Sequence, residues 1–121
     1  MFPDRTLIVA AAAATLIISP VAGAAQAKLP PYPEALRCAA LTHAALQIGK
    51  GTKEEGVLFD HVIFWSMASA DAGRAAGKKA KEVDAEVEGA SAAIQPKLRA
   101  QDGATVADLA GCVARVPPLD K

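Results

Sequence analysis

Val57-Leu58-Phe59-Asp60-His61-Val62-Ile63-Phe64-Trp65-Ser66-Met67 gathers most of the bulky apolar side chains of a chain otherwise built largely from alanine. Wound at about 100° per residue, this stretch brings Leu58, Val62 and Trp65 together, with Phe59 and Ile63 widening the same arc. That arc is expected to face a core. Asp60 and Asp71 mark the opposite, water-facing side, and Phe64 and Met67 fall beside them. A helix apolar nearly all round is either wrapped by neighbours or carries a surface for another molecule. Two readings follow: the helix is the centre of a small bundle, or Phe64 and Met67 are contact residues of an interface or ligand groove.

Toward the N-terminus, Leu7 to Ile18 is apolar except for Thr15. Arg5 precedes it, and Ser19-Pro20 and then small residues lead to Ala25-Gln26-Ala27. A basic start, an apolar segment of about a dozen residues and an A-x-A site make the layout of a secretory signal peptide, although Asp4 dilutes the positive start. The run is shorter than the roughly 18 to 20 apolar residues that span a bilayer. Cleavage is expected after Ala27, and no cysteine that could carry a lipid occurs before Cys38. Residues 1–27 thus read as signal peptide, 28–32 as an extended lead-in, 33–116 as one helical domain and 117–121 as a tail.

Removing 27 of the 121 residues leaves 94, which suffices for one small domain with a modest core. Lysine plus arginine and aspartate plus glutamate each number 13, and losing Asp4 and Arg5 keeps the formal charge at zero. This balance speaks against nucleic acid or an anionic membrane as partner. No stretch after residue 27 is long and apolar enough to cross a membrane, so a periplasmic or secreted protein is expected. Its only cysteines, Cys38 and Cys112, lie 74 positions apart near the ends of the domain. An even pair in an exported chain reads first as a disulfide, with intermolecular pairing or free thiols as the alternatives.

Outward from the aromatic stretch, Thr52-Lys53-Glu54-Glu55 matches a capping box that would start its helix. Before it, Pro33 and Glu34 suit the first turn of an earlier helix that carries Cys38, Leu41, Ala45 and Ile48 on one stripe and stops at Gly49 and Gly51. Thr42 and His43 flank that stripe, and His43 reads as a partly exposed surface residue.

After the aromatic stretch the helical stripe runs on through Ser69, Ala72, Ala76, Ala80, Val83, Val87 and Ala90 to Ile94. One continuous helix would exceed about 50 Å, too long for a compact domain of this size. Bases at Arg74, Lys78, Lys79 and Lys81 give way to acids at Glu82, Asp84, Glu86 and Glu88, as at a helix C-terminus followed by an N-terminus. A turn is therefore expected near Gly77 to Ala80. A third helix follows to about Ala100, with Pro96 expected to kink it or end it early. Asp102 or Thr105 caps a fourth, striped by Val106, Leu109, Val113 and Val116 with Cys112 at its edge. The expected fold is all-α: a small antiparallel four-helix bundle whose first and last helices lie side by side, fastened by Cys38 and Cys112.

Catalytic signatures are hard to find. The histidines are His43 and His61 alone; there is no C-x-x-C-H for haem and no H-E-x-x-H helix. Asp60 and His61 point about 100° apart on a helix, which disfavours an acid–base pair. No catalytic residue, metal ligand set or cofactor is assigned. The expectation is a non-enzymatic binding or structural module of the cell envelope, acting on an unknown protein or on itself, with a small ligand, metal or haem carrier using His61 and Met67 as the alternative.

With its export signal, its cysteine pair and the segments F-W-S-M-A-S-A-D-A-G-R (Phe64 to Arg74) and L-A-G-C-V-A-R (Leu109 to Arg115), the chain resembles small exported alanine-rich helical proteins of unknown function from alphaproteobacteria. This resemblance implies no activity and no site. Small periplasmic acid-stress chaperones are a more distant comparison, from which the wider cysteine spacing and the lack of strongly charged tails depart.

Overall fold

The computed structural model describes residues 29–118. The signal-peptide and cleavage expectations for residues 1–27, and the last three residues of the expected tail, lie outside the described residues. Four helices follow one another: α1 (Tyr32–Gly49), α2 (Glu55–Ala75), α3 (Ala80–Arg99) and α4 (Gly103–Ala114), with no strand among the described residues.

Local chemistry sets each boundary. α1 opens behind Pro31, whose backbone is extended; Pro33 sits in the first turn, where its missing N–H leaves no bond unmade, and Glu34 complements the dipole. α2 ends as the charge order predicted. Gly77 takes φ +82, and the Lys78 and Gly77 amides donate to the Gly73 and Arg74 carbonyls at 2.8 and 3.0 Å, a Schellman ending that an L side chain would strain. Gln101 closes α3 in the same way at φ 57, so Pro96 does not end that helix early. Asp102 caps α4: its carboxylate accepts from the Thr105 hydroxyl at 2.6 Å and the Thr105 amide at 3.0 Å. These two bonds hold the Asp102 carboxyl below its usual range.

The capping box at the start of α2 is displaced. The Thr52 hydroxyl accepts from the Glu54 amide at 3.3 Å and donates to the Gly49 carbonyl at 2.7 Å, while Glu55 reaches back to the Gly51 amide at 2.9 Å. Gly51, at φ +83, turns the chain back so that the glutamate meets its amide.

The helix at the centre is α1 rather than the aromatic-rich α2, which corrects the sequence reading. α1 packs on α2, α3 and α4, whereas α2 and α3 meet more sparingly. Ala35, Ala40, Leu41 and Ala44 have no accessible surface; Thr42, expected at the flank, is buried too and returns its hydroxyl to the Cys38 carbonyl at 2.8 Å. Alanine presents so little bulk that neighbouring helices close in on three sides of α1, so burial tracks closeness of approach and not side-chain size. A ring of four helices closed by the first and last becomes a wrap of three around one.

Of the arc expected to be inward on α2, Val62 and Trp65 are buried and Leu58 is half-buried. Phe59 and Ile63 are 51% and 42% exposed, a correction. The buried seam continues instead through Ser69, Ala72 and Gly73. At Gly73 neighbouring side chains come so close that a Cβ would stand 2.5 Å from Val83 Cγ2 and 3.4 Å from Tyr32 Cε1. On α3, Val83 and Ile94 are buried and Val87 and Ala90 pack against the core, as expected.

On α4 the fully buried positions are Thr105 and Cys112; of the expected stripe, Leu109 and Val116 pack against the core, Val113 is half-buried and Val106 is exposed. Cys38 and Cys112 form the disulfide, with Cα atoms 5.5 Å apart. Ion pairs flank it: Glu34 with Arg115 and Arg37 with Asp108. Ascending numbers on α1 meet descending ones on α4, so the two helices run antiparallel. Trp65 completes this fastening by donating its indole N–H to the Cys112 carbonyl at 3.0 Å.

Candidate functional site

α4 is only 12 residues long, and its anchors hold it to the first half of α1. Past the anchors, alanines and glycines face one another and leave space unfilled. The result is an open groove of about 770 Å³ between the end of α1, the start of α2, the end of α3 and α4. Ala45, Ile48 and Gly49 come from α1, Leu58 from α2, Leu98 from α3, and Val106, Ala107, Leu109 and Ala110 from α4. Thr52, Glu54 and Gln101 supply its polar edge, with Glu54 the sole charged group among the lining residues. Val106 is 43% exposed there. Ile48, Val106 and Leu109 fall on core stripes by their spacing, and here they stand part-exposed as the wall of this groove.

Phe64 and Met67 share a second, smaller crevice of about 390 Å³, with Leu29 and Pro30 of the lead-in, Trp65, Ala68, Asp71 and Arg115. Phe64 is half-buried, packs on the core and meets the Trp65 ring edge-on at 5.1 Å. Helical spacing alone places it beside the water-facing Asp60 and Asp71. Met67 is 64% exposed, as a contact residue would be. Arg115 lies over the Trp65 ring at 5.0 Å while paired to Glu34, so the charge at this crevice is already engaged.

The structure does not bring His61 and Met67 together. Six positions on one helix set them about 120° apart, and His61 Nδ1 is buried without a hydrogen-bond partner whereas Met67 faces outward. His43, partly exposed as expected, lies on the other side of α2 in a polar cleft of about 230 Å³ with Ser66, Ser69, Asp84 and Glu88. Its Nδ1 is 3.5 Å from the Ser91 hydroxyl. Ser91 is 2% exposed and so is not offered to a substrate. Among the described residues no three histidine, cysteine or acidic side chains gather as a metal would need.

One further cluster went unread in the sequence. Tyr32 donates its hydroxyl to Glu86 at 2.6 Å, and Lys78 donates to the other Glu86 oxygen at 3.0 Å while lying 5.3 Å from the centre of the Tyr32 ring. Burial of the ring, then the bond to Glu86, pushes the Tyr32 pKa up to about 12; the bonds from Tyr32 and Lys78 hold the Glu86 carboxyl below its usual range. This latch ties the start of α1 to the α2–α3 turn and to α3. The partners are 46 and 54 positions from Tyr32, and no local pattern marks them.

Compared with known proteins, the chain matches no family model, no curated protein and no solved structure.

Proposed function

We propose that this protein is a non-enzymatic binding module of the cell envelope that takes an uncharged, largely apolar small molecule in the groove between α4 and the ends of the other helices. The groove carries the reading: its volume of about 770 Å³ falls within the roughly 300–1,000 Å³ of small-molecule sites, and its walls are apolar with a few polar groups at one edge. A folded partner would need about 800 Å² of matching surface, more than such a cleft presents. Glu54, unopposed by any base in the lining, disfavours a carboxylate or phosphate head. The envelope location rests on the Cys38–Cys112 disulfide, which suits an oxidising compartment, on the export-signal layout of residues 1–27, and on the finding that no described helix is long and apolar enough to cross a membrane.

Fluorescence titration of the purified, oxidised protein with the uncharged dye phenylnaphthylamine tests this. Saturable one-to-one binding is expected, weakened at least tenfold in both Val106→Glu and Ala110→Glu, whose exposed positions leave helicity and the disulfide intact. Binding that is absent in the parent protein, or unchanged in both variants, would sink the reading.

A further inference from the structure

Gly49 is the last residue of α1 and lines the groove, yet nothing in its backbone asks for glycine. The left-handed angle of this turn falls at Gly51, with φ +83, and not at Gly49. What the missing side chain leaves is space. A Cβ built at Gly49 would stand 2.3 Å from Leu58 Cδ1, well inside the about 3.5–4.0 Å at which two non-bonded carbons rest. The end of the Leu58 side chain therefore lies where a side chain at position 49 would begin, and Leu58 lines the groove as well. Thr52 bounds the same notch: its Oγ1 is 3.7 Å from that point and donates to the Gly49 carbonyl at 2.7 Å.

We infer that Gly49 is a specificity-determining residue of the groove. By receiving Leu58 it keeps this end wide enough for an apolar molecule broader than a single alkyl chain, such as one with a fused-ring body. This role presupposes the small-molecule reading of the groove and narrows the class of ligand. With a methyl group in the notch, the flexible end of Leu58 gives way before the backbones do, because turning one side chain costs less than separating two packed helices. Thr52 closes one side of the notch, Leu58 is already half-buried, and the unfilled volume lies on the groove side. Leu58 then projects into the groove and narrows it, shutting out the broad body and sparing the slim one.

Calorimetric titration of the oxidised protein with phenylnaphthylamine, which carries a fused ring pair, and with 1-decanol, a single chain, tests this. Gly49→Ala should weaken the dye about tenfold, the effect of a methylene or so in an apolar pocket, and leave decanol and helicity unchanged. Leu58→Val removes the Cδ atoms, and the Leu58 Cγ already stands at an ordinary 3.8 Å from the would-be Cβ. In the Leu58→Val background Gly49→Ala should therefore cost the dye nothing, whereas an effect of helix propensity alone would persist. No dye bound by the parent protein removes the groove as a site, and the role of Gly49 with it. A parent that binds the dye leaves the groove standing, and four results then overturn the role of Gly49 alone. These are equal dye binding by Gly49→Ala, decanol losing as much as the dye, the same loss in the Leu58→Val background, or a Gly49→Ala protein that does not fold because Leu58 cannot yield.

Discussion

Tyr32 shows how one side chain joins three elements. Its ring is 9% accessible and its hydroxyl serves Glu86. Because Tyr32 is the only tyrosine of the chain, its titration is directly readable. Its pKa rises from 10.0 to about 12 in the folded protein, so the unfolded chain gives up this proton first as pH climbs. The stability it confers is therefore complete below about pH 10 and drains away towards pH 12. Denaturant melts across that window should show a fall in unfolding free energy that Tyr32→Phe lacks, and phenolate absorbance of the native protein should have a raised midpoint. A midpoint near 10 would mean that neither the burial of the ring nor its bond to Glu86 persists in solution.

Among the elements, α2 and α3 divide glycines into two kinds. Gly73 sits where α2 meets both Val83 and Tyr32, and Val83 is stiff and 3% exposed, so it has little room to retreat. Gly73→Ala should lose about 1–3 kcal/mol to overpacking, despite the better helix propensity of alanine. Gly89, in the middle of α3, has no neighbour within 4 Å of a would-be Cβ. There the same substitution should gain about 0.5–1 kcal/mol from reduced chain entropy. Thermal melts of the two variants decide it, and a shift of equal sign in both would refute the packing account. What separates the two glycines is Val83, 10 positions downstream of Gly73, together with Tyr32 from α1.

At the scale of the molecule, α4 depends on the disulfide more than on its charges. The ion pairs Arg37–Asp108 and Glu34–Arg115 are about half exposed, and exposed pairs contribute roughly 0–1 kcal/mol each. Closing a loop between residues 74 positions apart stabilises by up to about 4 kcal/mol, although the mechanism is model-dependent. Reduction followed by alkylation should thus lower the unfolding free energy by about 2–4 kcal/mol and free α4 first. Loss of the Trp65 bond to the Cys112 carbonyl makes tryptophan emission the reporter. Full retention of the oxidised emission and stability after alkylation would show that packing alone holds α4. The groove loses one wall in the same event, so dye binding should fall with it.

The sequence by itself determined the all-helical class, the four helices to within a few residues and the break near Gly77, and it narrowed the last cap to Asp102 or Thr105 and put a Cys38–Cys112 disulfide first among the cysteine states. Each of these is a local property: periodicity, a φ that only some residues accept, a side chain reaching its own backbone, or a pairing with one possible partner. Tertiary structure decided which helix is central, which half of the aromatic helix faces outward, and where the groove lies. Those outcomes depend on how closely helices approach, and approach is set by the small residues of α1, Gly73 and the alanines of α4, whose importance is invisible to a reading that equates bulk with burial. Phe59 and Ile63 are the case in point. Their hydrophobicity is plain in the chain, but only the narrow seam presented by α1 leaves them facing water.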